Sequence, residues 1–347
     1  RRTRSSTGNR KLDLNRNGIS VKMNSMENTW VRFGNKLEIR YHFENKSNCI
    51  DALIRHRCEK EVINILRALA ELFGVKMTIY ADSCENESDY KERWAIAGES
   101  SRAISILVNI FMQLMSRPTL SVGGQLLADY NEETDLRLQK SAGSLRRDLR
   151  QKKAGSVIPS DLIDLLSASP RYRKCKSNFY EALRGYPKVS RISMRELNDK
   201  NRGRSGVLEI KRDHFNLYIL RSDDLPTIKD TKATIEIISP VLKDSKYRWK
   251  GIYNKGGETI DFYMRDEDFK QQMFDEKIAF SSGMCIDCVL EIERRLSEMG
   301  EVIPTCYTVT TVIRTRLDKL VIVTPQGKRH LRKIEAEKQQ LTLDFFG

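Results

Sequence analysis

The sequence predicts an α+β protein: an N-terminal α/β domain, a small helical middle region and a C-terminal β-rich domain of barrel or sandwich type. Three observations carry this expectation. A long amphipathic helix is written between Ile50 and Phe73, helices with a cationic face fill the middle, and from Lys188 onward the apolar period switches to two. A chain of 347 residues has length for two or three domains and buries ample core without staples.

Residues 1–25 carry seven Lys or Arg against Asp13 and almost no large apolar side chain, so they form no core. They read as a basic disordered arm, either nucleic-acid-binding or an upstream extension. The α/β domain is expected over 26–118. "WVRFGNKLEIRYHF" alternates apolar and polar residues around Gly34-Asn35, the pattern of a hairpin. Asn48 can cap the helix that follows, with Asp51 three residues on complementing the exposed amides. Ile54, Cys58, Val62, Ile65, Leu69 and Phe73 recur at helical spacing, and Gly74 stands where a left-handed residue ends the helix. "VKMTIYA" reads as a strand and the acidic "DSCENESDYKE" as a loop or hairpin tip. A second helix runs from Ser101 to Ser116, stopped by Pro118.

The middle region, 119–187, holds a helix from Thr134 to Lys153 with Leu138, Ala142, Leu145 and Leu149 on one face. "SDLIDLL" and "YRKCKSNFYEALRGY" read as two more helices. The β-rich domain, 188–325, is drawn from nine short period-two stretches bounded by turn residues: "KVSRISMREL", "GVLEIKRD", "FNLYIL", "ATIEII", "RWKGIYN", "ETIDFYM", "IDCVLEIERRL", "CYTVTTVIRTRL" and "KLVIVTP". Asn254–Gly257 makes a hairpin turn within it, and Asp266–Phe274 is helical. Residues 326–347 read as a charged linker or frayed helix ending in a docking tail.

With 61 Lys and Arg against 47 Asp and Glu, the formal net charge is +14, which favours an acidic partner, nucleic acid before a membrane surface. No apolar segment follows the basic N-terminus as in a signal peptide. The most apolar run, Ala103–Met115, falls well short of the roughly 20 residues of a membrane span. The chain therefore reads as soluble and cytoplasmic, with seven reduced cysteines. Cys285 and Cys288 form the one CxxC, but positions three apart on a strand face opposite ways, so the pair reads as packing rather than metal ligation. No P-loop, HExxH or G-x-S-x-G sequence occurs, and no metal or cofactor is expected outside the nuclease reading below.

Arg137, Lys140, Arg146, Arg147, Arg150, Lys152 and Lys153 line one face of the long middle helix and suit a track of phosphates. Arg171, Arg173, Lys174 and Lys176 alternate with Tyr172, Phe179 and Tyr180, a mixture that serves phosphate contact and base stacking. A second constellation is Glu209-Ile210-Lys211 preceded by Asp199, which resembles the strand-borne core of restriction-type metal nucleases. That resemblance implies Asp199 and Glu209 holding Mg²⁺ and Lys211 steadying the attacking water. "FNLYIL" in place of a helix after it departs from that family.

The chain ends "QLTLDFFG". Gln340-Leu341-Thr342-Leu343-Asp344-Phe345 resembles the hexapeptide by which bacterial proteins dock on the DNA sliding clamp. The resemblance implies Gln340, Leu343 and Phe345 as anchors and Leu341 as a support, an extended peptide in a groove. The alternatives are that Leu341, Leu343, Phe345 and Phe346 form a last strand or tuck into the chain's own β domain, or that they enter the groove of another protein partner. Together these features point to a nucleic-acid-associated protein of bacterial DNA maintenance, mobile elements or anti-phage defence, recruited by its tail. A Mg²⁺-dependent nuclease and a non-enzymatic subunit of a larger assembly are the alternatives.

Overall fold

The computed structural model describes residues 33–44, 49–82, 90–120, 132–151, 158–159, 161–241, 247–275, 281–317 and 320–344. Its helices and strands are those of an α+β protein, arranged around two sheets.

The first sheet begins with β1 (Phe33–Phe43). It is a single central strand, not the expected hairpin. Glu38 stands opposite Arg93 on one neighbour and Arg195 on the other, and Gly34-Asn35 forms a bulge where the register shifts. The reason lies in Asn35. It is buried, donates to Glu196 Oε1 at 2.6 Å and accepts from the Ser101 hydroxyl, so it is anchored rather than turned out to solvent.

Helix α1 (Ala52–Phe73) is capped by Asp51, whose carboxylate accepts from the Leu53 and Ile54 amides, and ends at Gly74 with φ 62°. The cap is thus Asp51 rather than the expected Asn48, which lies outside the described residues. Strands β2 (Met77–Asp82) and β3 (Tyr90–Gly98) follow, then α2 (Ser101–Ser116), capped by Ser100. The expected acidic loop runs over Tyr90–Glu92, which in fact open β3.

Helices α3 (Glu132–Arg150), α4 (Leu162–Ala168) and α5 (Pro170–Arg184) precede β4 (Val189–Asn198) and β5 (Leu208–Lys211). The sheet order is β2-β3-β1-β4-β5, antiparallel throughout. Because α1 joins β1 to β2 across β3, and α2–α5 join β3 to β4 across β1, the unit is a split β-α-β arrangement.

Its core differs from the expected division at residue 188. One apolar cluster runs from Leu37 of β1 through Leu145 of α3 and Phe179 of α5 to Ile192 of β4 and Ile219. The middle helices and the first two strands assigned to the β-rich region thus share one core with the N-terminal sheet. "FNLYIL" is no strand: Arg212–Leu217 is a 3-10 helix. Phe215, Tyr218 and Ile219 sit at helical spacing and are buried, with the Tyr218 ring stacked on Tyr180 at 4.3 Å.

The second sheet contains β6 (Asp224–Ser239), β7 (Trp249–Tyr253), β8 (Thr259–Met264), β9 (Cys285–Leu296), β10 (Val302–Leu317) and β11 (Leu320–Val323). Helix α6 (Glu267–Phe274) lies between β8 and β9, and α7 (Pro325–Asp344) ends the described chain. Five strands close into a barrel in the order β6-β7-β8-β10-β9 and back to β6. Only the β8–β10 pair is parallel. At Gly251 a side chain would fall 2.5 Å from Ile235 Cγ2 and 2.7 Å from the Glu236 carbonyl, so the glycine permits the close strand approach there.

Asp266 knits the barrel to its helices. It is buried and accepts from Phe269 N at 2.9 Å, Val312 N at 2.6 Å and Gln326 Nε2 at 3.2 Å, tying α6, β10 and α7 together. The charged stretch after Pro325 is therefore a helix seated on β10. Thr324 caps it by accepting from Gly327 N, and Gly327 lies where any Cβ would strike the Ile313 carbonyl. No described helix is long and apolar enough to cross a membrane.

Candidate nucleic-acid interface

The two basic middle helices separate sharply. On α3, Arg137, Lys140, Arg146, Arg147 and Arg150 are exposed, opposite the buried Leu138, Ala142 and Leu145. The Arg146 guanidinium lies over Gly74 at the C-terminus of α1, the negative end of that helix dipole. Lys152 and Lys153 lie outside the described residues.

On α5 the expectation fails for three of four cations. Arg171 is exposed and pairs with Glu71 at 3.3 Å, but Arg173, Lys174 and Lys176 are 6 %, 7 % and 0 % exposed. Lys176 Nζ donates to the Arg117 carbonyl at 2.8 Å and the Leu114 carbonyl at 3.4 Å, filling the C-terminus of α2. Burial drives its pKa down to about 7, with the like charges of Arg173 and Arg117 adding to the effect. Lys174 pairs with Asp223 at 2.7 Å. Tyr172, Phe179 and Tyr180, expected as base stackers, are core side chains, and the Tyr180 hydroxyl donates to the Met115 carbonyl at 2.8 Å. Of these four cations only Arg171 is exposed as placed.

The nuclease-like trio is not brought together. Glu209 pairs across the sheet with Ser193 and accepts from Arg191 at 3.3 Å, while Lys211 stands opposite Arg191. Asp199 lies in the exposed turn after β4, six residues beyond Ser193, and accepts from the Lys200 amide. At about 3.3 Å per residue, that is roughly 20 Å of strand and turn. Among the described residues no group of three His, Cys, Asp or Glu side chains is placed to hold a metal ion.

Cys288 points into the barrel and Cys285 away from it. Burial pushes both thiols up, keeping them protonated. Of the tail, Gln340, Leu341 and Leu343 fall in the last turns of α7, where side chains lie outside the described part, and so do Phe345 and Phe346.

Two cationic surfaces come from strands instead. The first is the outer face of barrel strands β7 and β8. Alternation sends Trp249, Gly251, Ile260, Phe262 and Met264 inward. It leaves Arg248, Lys250, Tyr263 and Arg265 outside, with one acid, Asp261, opposite Lys250 on the same face. Arg248 stacks over the Tyr263 ring at 5.0 Å and Arg265 lies 5.6 Å from it, so a half-buried aromatic is flanked by two guanidinium groups. A planar base and its phosphate find complementary chemistry on such a surface.

The second is the face of the first sheet turned away from its helices. Lys36, Arg40 and His42 of β1, Lys91 and Arg93 of β3, Arg191 and Arg195 of β4, and Lys211 of β5 share it with the acids Glu38, Asp82 and Glu209. Glu38 is the hub. Burial pushes its carboxyl up, but hydrogen bonds from Arg93 (2.9 Å) and Arg195 (2.8 Å) outweigh that and hold it below the usual range.

The sequence carried a signal for both surfaces that a helix-centred reading misses: basic residues at alternate positions, as in "KLEIR", "YKERW" and "RISMR", and Tyr-Arg pairings in "KYRWK" and "FYMR". The chain matches no protein-family model, and comparisons with curated proteins and with solved structures return no match.

Proposed function

We propose that this chain is a nucleic-acid-associated protein that grips single strands on the outer face of its barrel. The observation carrying this reading is the Arg248–Tyr263–Arg265 platform on a barrel of particular connectivity. Numbering the barrel strands in chain order, they close as 1-2-3-5-4-1 with a helix between the third and fourth. That is the connectivity of the oligonucleotide- and oligosaccharide-binding type of Greek-key barrel, which uses the face of its second and third strands for ligand. Here those strands are β7 and β8, the ones that carry the platform.

Single-strand binding by such barrels combines phosphate contacts with stacking on aromatic side chains. Tyr263 supplies a ring, and Arg248, Lys250 and Arg265 supply charge; the exposed row on α3 is a separate set of cations. The fold alone does not assign a ligand; the cation–aromatic interleaving supports nucleic acid over sugar. The test is fluorescence anisotropy with a labelled single-stranded oligonucleotide. Tyr263→Ala is expected to weaken binding about 5- to 100-fold, the range for losing one stacked base. Equal affinity for Tyr263→Ala and an Arg248→Ala, Arg265→Ala pair against wild type would remove the barrel face from the account.

The resemblance of residues 340–345 to clamp-binding peptides supports recruitment as a separate, second property. Deleting residues 340–347 is expected to abolish capture by a bacterial sliding clamp while leaving oligonucleotide affinity unchanged. Capture that survives the deletion would refute the docking role.

A further inference from the structure

A cavity of about 320 Å³ opens where α2 ends against α4 and α5, with Arg117, Thr119, Asp164, Ser167 and Arg173 in its wall. Its charge is lopsided. Arg117 and Arg173 line it, Lys176 lies buried close enough for both to act on its amine, and Asp164, the one wall carboxylate, forms an ion pair with Arg117 at the half-exposed rim. Arg173 is only 6 % exposed, so its charge is spent in this neighbourhood rather than in bulk water. The Ser167 hydroxyl, in the same wall, is buried and makes no hydrogen bond among the described residues. A buried hydroxyl without a partner costs free energy, and such groups in folded proteins call for an acceptor.

We propose that this cavity is an anion site for a phosphate monoester, with Arg117 and Arg173 as the charge partners and Ser167 as a neutral donor. Its volume lies at the lower end for small-ligand sites and admits a mononucleotide-sized group. Arg117 and Arg173 are like charges lining one cavity and repel each other when it is empty; the low basicity of Lys176 behind them comes chiefly from burial, with these two charges adding to it. A doubly charged phosphate relieves that repulsion and satisfies the hydroxyl, and charge-assisted bonds of this kind are the strong ones. Asp164 competes with the anion for Arg117 and so limits affinity. No wall residue of the site belongs to β7 or β8, so it does not depend on the single-strand reading.

Calorimetric titration of the full chain tests it with four probes: inorganic phosphate, AMP, and one oligonucleotide with a 5′-phosphate or a 5′-hydroxyl. Phosphate monoesters are expected to bind, about tenfold or more weaker in Arg117→Gln and in Ser167→Ala, and tighter in Asp164→Asn. These are rim or wall substitutions that leave the buried Arg173 and Lys176 in place, and circular dichroism checks that each variant folds. Binding by AMP and phosphate with no preference between the two oligonucleotides supports the site and assigns it to free nucleotides. Preference for the 5′-phosphorylated oligonucleotide supports it and assigns it to strand ends. Absence of binding at millimolar AMP and phosphate, or affinity unchanged in all three folded variants, overturns the proposal. The 5′-hydroxyl oligonucleotide reports the barrel face alone, so failure of one site is distinguishable from failure of the other.

Discussion

Helices α3 and α5 are both rich in Arg and Lys and lie within about fifty residues of chain, yet one displays its cations and the other buries Arg173, Lys174 and Lys176. The difference lies in where the charges fall on the helical wheel. On α3 the apolar positions 138, 142 and 145 form one row, and the cations stay off it. On α5, Tyr172, Lys176 and Tyr180 stand four apart on a single row, so the face that buries the two rings takes the lysine with them. Counting charge does not locate a binding surface. The row a charge occupies does, and a cation trapped on an apolar row must find buried acceptors, as Lys176 does in the carbonyls of α2.

The comparison predicts unequal costs of substitution. Lys176→Ala deletes a buried stem and leaves the Arg117 and Leu114 carbonyls without a donor, so a loss of about 2–5 kcal/mol in urea unfolding is expected. Lys140→Ala on α3 is expected within about 0.5 kcal/mol of wild type. Similar losses at the two sites would break the contrast.

The pH dependence sharpens it. The Lys176 amine sits at about 7 in the fold against an ordinary 10.5, so between those values the unfolded chain binds more protons. Stability from this group therefore rises with pH across that window, and its burden is fully present below it. Lys176→Met is expected to flatten that slope, as read by unfolding midpoints from pH 7 to 10.

A smaller effect is expected at Lys174. Its partner Asp223 is 44 % exposed in its side chain, so screening discounts the pair, and Lys174→Ala is expected to cost about 1 kcal/mol. Smallest in stability, but visible in binding, is neutralisation of Lys140 and Arg147 together. If α3 tracks phosphates, the slope of affinity against salt falls by about one unit or more with no change in folding.

Much of the architecture was legible in local pattern. The stripe of α1, the largely apolar α2, the left-handed end at Gly74 and the Asn254–Gly257 turn are all short-range features that form as their residues dictate, while the N-cap falls on Asp51 rather than Asn48. The features that were hidden depend on distant partners. Gly34-Asn35 reads as a turn until Glu196 and Ser101 anchor Asn35. Strands β4 and β5 read as part of the later β run, because nothing local reveals that β4 pairs with β1 across about 150 residues. Asp199 and Glu209 looked like a metal pair because spacing in sequence ignores where a turn lies. The barrel platform was missed for the opposite reason: its alternation is local, but Tyr263 meets Arg248 only through pairing of β7 with β8.

The central claim, that a single nucleic-acid strand lies along the barrel's outer face, is tested most directly by titrating salt against single-strand affinity for wild type and Tyr263→Ala. About four phosphate contacts give a slope near −3, a fall of about fiftyfold between 50 and 200 mM salt. The account predicts that steep line for wild type and a parallel, weaker line for Tyr263→Ala, since the ring stacks and carries no charge. Binding that is absent at low salt, a flat line, or coincident lines for the two proteins would contradict it.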